Sequence, residues 1–595
     1  MKKTTKLLGV KNWIISLLFI SNFSFSQTNL PKGLSEEELL LINSPGYKPA
    51  MRLSSGSITP PSSPVRNMAQ WEELQALTVT WMSYQSVLRN IVKVAQQEAL
   101  VIINCDPGNT SGYDDSTTIK NYLTAAGVPL SNIRFNATPA NSIWIRDYMA
   151  NSCYENEVGN LLLVDWIYNR PRPDDDALPN SIAQLLSIPL YETTSFPSNI
   201  IATGGNYMTD GIHRAFSSKL IVNENPTKTE TQINQIMNDF MGITSYVFMN
   251  TLPYDVIHHI DMHMKLINEE TLLVGQYPPG TADGPQIEAN LQFILSDFNS
   301  AFGTPYKIIR IPMPPDQNNG FKYPNNVGNY LTYTNATIVN KSVLVPQFYT
   351  QYDTTAVRIW KEAMPGYNVV GINSNTTIAA SGSIHCITHS VGVENPLLIV
   401  HQKLPATTNA TVPYQVNAKI QHNSGIQSAM LYYKTSIAGS YTNVSMTLTN
   451  AVANTWTGEI PAQPAGTHIY YYIKGIANSG KQQVRPMPAP AGYFDFIVIG
   501  TTGINNNSMY NFAMKPAYPN PSHGITCIPL SFDRNTSGTI KLIDMLGKVV
   551  HEIYSGDFYE GEKNYFINTI DINAGAYTIL IQTPEKRISQ KLMIK

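Results

Sequence analysis

Cysteine is scarce in this chain. Cys105, Cys153, Cys386 and Cys527 are the 4 present in 595 residues, far apart and without C-x-x-C spacing. That pattern suggests neither a zinc site nor a dense disulfide framework, so each thiol is judged by its neighbours. Cys386 lies in Gly382-Ser383-Ile384-His385-Cys386-Ile387-Thr388. Three earlier segments carry further polar groups: Trp144-Ile145-Arg146-Asp147-Tyr148, His259-Ile260-Asp261 and Tyr333-Thr334-Asn335. A thiolate is a strong nucleophile near neutral pH. A histidine can move protons in both directions. Paired carboxylates match the fork of N–H donors on a guanidinium. Together these groups could grip a planar cation, attack its carbon, protonate a departing amine and activate water.

Taken singly, each segment has a plainer reading. Arg146-Asp147 could be a structural salt bridge. His259-x-Asp261 could be a metal fragment, a reading fed by His258 and His263, or a strand edge. If it is a strand, alternation places His259 and Asp261 on one face. Cys386 between apolar residues could be core, and Tyr333-Thr334-Asn335 a turn. Cys153 and Cys527 read as structural, the latter as a small buried hydrophobe.

The elements that must position these groups follow from periodicity. At roughly 100–200 residues per domain, three or more domains are expected. Residues 1–26 read as a signal peptide, with a basic start at Lys2 and Lys3 and a short apolar run. Residues 27–64, rich in Ser, Pro and Gly with an acidic Glu36-Glu37-Glu38 cluster, read as a pro-segment or loose leader. From 65 to 404, short β-type runs alternate with amphipathic stretches such as Ser86 to Ala95, Thr231 to Phe240 and Thr355 to Ala363, an α/β pattern. Helical periodicity stops after His401. Residues 405–498 suggest an all-β, immunoglobulin-like sandwich, 499–510 a linker, and 511–595 a small all-β module. The net charge of −2 argues against a nucleic-acid partner.

The order W-x-R-D, H-x-D, Asn, G-x-I-H-C resembles the guanidino-group-modifying enzymes, in the branch of agmatine deiminases and bacterial peptidylarginine deiminases. The resemblance covers roughly residues 65 to 400. Gly204-Gly205-Asn206 also resembles a glycine-rich segment of that branch. The resemblance implies the pentein fold, a five-bladed α/β propeller. It implies Cys386 as nucleophile, passing through a covalent thiouronium, and His259 as general acid and base. Asp147 and Asp261 would hold the guanidinium, Asn335 would belong to the active-site set, and Trp144 could pack on the substrate's stem. No cofactor is implied; the vertebrate enzymes use calcium, and no EF-hand loop is present. One departure is Met149-Ala150, where many relatives have Gly-Pro.

The stretch Asn169-Arg170-Pro171-Arg172-Pro173 could bring two guanidinium groups onto one carboxylate. It resembles secreted bacterial peptidylarginine deiminases, in which such arginines recognise the substrate's terminal carboxylate; the plainer reading is a surface loop bridged to Asp174-Asp175-Asp176. Near the C-terminus, Tyr518-Pro519-Asn520-Pro521, Leu542 to Val550 and Gly575-Ala576-Tyr577 resemble the sorting domain of type IX secretion substrates. That implies engagement of the secretion machinery, then release or outer-membrane surface attachment. The expected activity is conversion of arginine, at the C-terminus of peptides or proteins, to citrulline and ammonia. Agmatine deiminase, amidinotransferase and a silent surface adhesin are the alternatives.

Overall fold

The computed structural model describes residues 30–45, 55–108, 113–255, 257–278, 281, 283–316, 331–499, 512–584 and 586–595. The signal peptide expected over 1–26 and positions 500–510 of the linker lie outside these residues.

Between Val65 and Gly392 the described strands form five small sheets with one recurring connection. In each, a central strand pairs antiparallel with one neighbour and parallel with the strand that follows it across a helix. The central strands are Leu74–Thr80, Leu161–Tyr168, Arg214–Ser218, Thr271–Gln276 and Ser342–Gln347. Parallel pairing requires a crossover, and the helices supply it. Gln85–Ala95 shows why such a segment is helical: Val87, Leu88, Ile91, Val92 and Ala95 are buried along one face. Two of the central strands, Thr271–Gln276 and Ser342–Gln347, are apolar on both faces, as the burial of Leu272, Leu273, Leu344 and Val345 shows.

The chain ends of this region meet. His389–Gly392 pairs with Leu74–Thr80, so the last strand completes the sheet begun by an early one. The helix Pro173–Leu186 is one that the sequence pattern hid. Pro173 opens it and Asp174, Asp175 and Asp176 fill its first turn, where negative charge favours the N-terminus. Pro and Asp read as loop residues are here a helix start.

Two of the alternatives left open are now decided. His259 and Asp261 do not lie on a strand: Ile260–Met262 is a 3₁₀ turn with His259 just before it, and the strand Met264–Asn268 starts afterwards. Nor is the leader loose over its described residues 30–45 and 55–64. Ser35 caps the helix Glu36–Ile42 in a reciprocal capping box with Glu38, so the acidic cluster is a helix N-terminus. Further on, Ser57 pairs with the strand Leu190–Thr193.

From Leu398 onward every described element is a strand. Leu398–Val400 joins a sheet that continues to Phe494–Ile497, so this β-region starts before residue 405. A buried ion pair, Arg485 Nη2 to Glu269 Oε2 at 2.8 Å, ties it to the α/β region. The last residues form two sheets. In the hairpin between Thr536–Ile543 and Val549–Phe558, Asp544 Oδ1 accepts from the Leu546 and Lys548 amides and Gly547 takes φ 84°, which favours glycine.

Candidate active site

All five polar segments stand at the same place in the five sheets. Each is a short turn just before a strand that pairs antiparallel with a central one. Asp147 lies in the turn Ile145–Tyr148 before Asn151–Glu155. Gly204–Asn206 precedes Met208–Thr209, and the His259 and Asp261 turn precedes Met264–Asn268. Asn335 precedes Thr337–Val339, and Cys386, in His385–Ile387, precedes His389–Gly392. Repetition of one supersecondary unit thus gathers residues more than two hundred positions apart.

The side chains converge in a buried cluster. Asn335 Nδ2 donates to Cys386 Sγ at 3.2 Å, and Cys386 Sγ is 3.5 Å from Asp261 Oδ2. His259 Nδ1 is 3.5 Å from Asp147 Oδ1, which also accepts the Gly205 amide at 3.0 Å. His259 Nε2 has no hydrogen-bond partner among the described residues. The glycines permit this density. A Cβ at Gly205 would lie 2.4 Å from His259 Nδ1 and 2.8 Å from Asp147 Oδ1, and one at Gly382 would lie 2.3 Å from the Trp144 ring.

Residues outside the expected set complete the cluster. His385 Nδ1 is 2.7 Å from Asp261 Oδ2, while its Nε2 faces Gln70. Lys265 Nζ donates to Gln70 Oε1 at 2.8 Å, which leaves the Gln70 amide to donate to His385 Nε2. A neutral His385 with its proton on Nδ1, donating to Asp261, satisfies all three contacts. The adjacency of His385 to Cys386 was the available signal for it.

Lys32 had no such signal. It comes from the leader, is 0% exposed, and places Nζ 2.6 Å from Cys386 Sγ and 3.5 Å from Asp261 Oδ1. The two arginines of the N-R-P-R-P stretch also meet the leader. Arg172 Nε and Nη2 reach the two Glu38 carboxylate oxygens at 2.7 and 3.0 Å. Arg172 Nη2 donates further to the Pro31 and Gly33 carbonyls, and Arg170 Nε donates to the Lys32 carbonyl. Arg172 is 1% exposed, so the surface-loop alternative does not hold for it. Trp144 Nε1 donates to the Leu30 carbonyl at 2.9 Å, with its ring against Gly382.

Burial and charge set the protonation states. Burial pushes the Cys386 thiol up to about 12, with Asp261 adding to the rise and Lys32 opposing it. Burial alone would raise Asp261, but Lys32 and His385 hold it well below the usual carboxylate range. Burial raises Asp147. Burial, reinforced by Lys32, keeps His259 neutral. Burial also lowers Lys265 to about 7 and Arg146 to about 10.

Residues 66–391, over half of the chain, match the model of the Porphyromonas-type peptidyl-arginine deiminase family. The chain belongs to that family. It is a guanidino-modifying deiminase with the pentein fold and a mostly β remainder. Among curated relatives, a putative agmatine deiminase of Legionella pneumophila (strain Paris) is 27% identical over 266 residues, covering 43% of this chain and 75% of the relative. One from Vibrio parahaemolyticus is 23% identical over 298 residues, covering 46% and 81%. A solved structure described as a putative agmatine deiminase aligns with a TM-score of 0.50 at 18% identity, covering 57% of this chain and all of that one, a likeness of fold. Residues 516–595 match the secretion system C-terminal sorting domain, which marks the chain for the type IX machinery, secretion and the cell surface.

Proposed function

We propose that this enzyme deiminates arginine in peptides, with a preference for arginine at the C-terminus. The observation that supports it most is the pairing of two features in one buried cluster. A cation lies between the Cys386 thiol and Asp261, and Arg172 beside it binds a carboxylate with two nitrogens. A C-terminal arginine carries both charges that this arrangement matches.

In the proposed reaction, Asp147 and Asp261 hold the guanidinium nitrogens. Cys386 Sγ attacks the guanidinium carbon, giving a tetrahedral adduct. His259 donates a proton to one nitrogen, the C–N bond breaks, and ammonia leaves a thiouronium on sulfur. A water deprotonated by His259 adds to the same carbon, the C–S bond breaks, and citrulline forms. Neutral His259, with Nε2 unengaged, suits the role of base; as acid it would first take up the thiol proton. A guanidinium beside the thiol would favour the thiolate as Lys32 does here. Asn335 would hold the sulfur in line through its 3.2 Å contact.

On the same reading, the five sheets that end at Gly392 are blades of a propeller. The β-region that begins at Leu398 is an immunoglobulin-like module, and a signal peptide over 1–26 precedes the leader. Agmatine, named for several relatives, is the second substrate to consider, but it offers no carboxylate to Arg170 and Arg172.

The test is formation of a ureido product (citrulline from arginine, carbamoylputrescine from agmatine) by the native chain and by Lys32→Ala, with Cys386→Ala as control. The substrates are a peptide ending in arginine, its C-terminal amide, free arginine and agmatine. Preference for the free-acid peptide is expected. Turnover of agmatine alone would refute the peptide reading.

A further inference from the structure

We propose that the leader is a built-in pseudo-substrate: Lys32 occupies the guanidinium position of the active site and keeps the full-length chain inactive until the leader is displaced or removed. The inference rests on the deiminase reading and adds its regulation.

The covalent geometry of the side chain carries the argument. Counting from Cα, lysine Nζ and arginine Cζ are the same number of bonds away. An arginine in this backbone position, with the same rotamers, would put its electrophilic carbon where Lys32 Nζ now lies, 2.6 Å from Cys386 Sγ. Lysine keeps the positive charge and the aliphatic stem but has no electrophilic carbon and no amine that a thiolate can displace. It is therefore bound without being consumed.

The leader's backbone is also held as a peptide substrate would be. Trp144, Arg172 and Arg170 donate to the carbonyls of Leu30, Pro31 and Lys32 in succession, and Arg172 continues to Gly33. The Lys32 amide donates to the Ala380 carbonyl at 3.2 Å. Glu38 then supplies the carboxylate for Arg172, brought back toward it by the capped helix Glu36–Ile42. Every donor proposed to recognise substrate is engaged by the leader.

The hold is local. In that helix only Glu38 is buried, while Leu39, Leu40 and Leu41 are 43%, 75% and 48% exposed. Besides the backbone bonds of residues 30–33, the side-chain hold is the Lys32 ammonium and the Glu38 carboxylate pair. A buried, hydrogen-bonded charge pair is costly to break from one side, so single substitutions should suffice.

The experiment uses the full chain in four forms: native, Lys32→Ala, Lys32→Met and Glu38→Gln. The first readout needs no turnover. Each form is treated with 2-chloroacetamidine, a small amidinium electrophile, and alkylation of Cys386 is timed by peptide mass spectrometry. The expected result is labelling at least about tenfold faster in both Lys32 variants than in the native chain, the ratio that loss of one such contact gives. Lys32→Met keeps the stem and guards against an unfolded alanine variant. Equal labelling in all four forms would overturn the proposal.

The second readout is Lys32→Arg. It should deiminate its own leader, exchanging one nitrogen for a water oxygen at position 32, with no dependence on protein concentration. Faster labelling in the Lys32 variants without citrulline from any peptide would uphold the occlusion and sink the peptide-arginine reading. Peptide turnover by the native chain as fast as by the Lys32 variants, with unchanged labelling, would do the reverse.

Discussion

Gly205→Ala tests the packing that brings the catalytic pair together. The added methyl would sit 2.4 Å from His259 Nδ1 and 2.8 Å from Asp147 Oδ1. Ordinary contact lies near 3.5 Å, so the imidazole must retreat by about 1 Å, or the backbone of Gly204–Asn206 must shift by a similar amount. Neither is free to do so. His259 is fully buried, and a Cβ at the neighbouring Gly204 would already lie 2.0 Å from the Arg146 carbonyl. A displacement of that size in an acid–base group costs roughly a hundredfold in rate. Overpacking adds a destabilisation of about 1–3 kcal/mol. The assay is citrulline formation from an arginine peptide, with a melting curve alongside. Both chains are measured in one background, native or Lys32→Ala, whichever turns over. A loss of kcat far larger than the fall in stability explains is expected. A kcat/KM within about threefold of the parent would refute the argument that His259 and Asp147 need glycine between them.

Asn335→Ala removes the amide that donates to Cys386 Sγ, and should lower kcat about a hundredfold with little change in KM; an unchanged kcat would remove Asn335 from the catalytic set. Arg485→Ala leaves Glu269 buried without its cation and should cost about 3–5 kcal/mol, read as a lower denaturant midpoint; a change near zero would show that the pair is solvated. Asp175 carries a pH signature. Burial pushes its carboxyl up to about 7, above the roughly 3.9 of an unfolded chain, so the folded state keeps a proton that the unfolded state releases. Its contribution to stability therefore falls as pH rises through that window. Asp175→Asn keeps the shape of the contacts with Ser142 and Asn141 and abolishes the titration. The melting temperature of the variant minus that of the parent should rise from about pH 4 to 7 and then level off; a flat difference would refute the assignment.

What the sequence made legible was the chemistry and its order along the chain. Asp147, His259, Asp261, Asn335 and Cys386 do converge, because each sits in the same turn of a recurring unit. The local conformation of His259 was not legible. H-x-D alternates as a strand would, but tertiary packing places the residues in and beside a 3₁₀ turn. The helix Pro173–Leu186 was masked by residues that suit loops and helix starts equally well. Lys32 was the least legible of all. Pro31-Lys32-Gly33 has no periodicity, and its contact with Cys386 spans 354 positions. Glu38 was visible only as part of an acidic run. Its partner, Arg172, was expected to await a carboxylate from outside the chain.

The charges of the site explain how one occupant could give way to another. Asp147 and Asp261 are buried, and burial raises the cost of their ionisation unless a cation stands beside them. Lys32 meets that need in the docked leader, and an arginine side chain would meet it equally. Exchange of leader for substrate is therefore a cation-for-cation replacement, without net charging of the interior. The product differs. Citrulline is neutral, so deimination removes the charge that held the side chain between the carboxylates, and the product loses its claim on the site as the bond chemistry ends. In the native chain the leader should then compete effectively with citrulline but less well with arginine. A peptide ending in citrulline should accordingly leave the rate of Cys386 alkylation in Lys32→Ala almost unchanged, whereas a peptide ending in lysine should slow it. Equal protection by the two peptides would show that backbone contacts, and not the cation, decide what occupies the pocket.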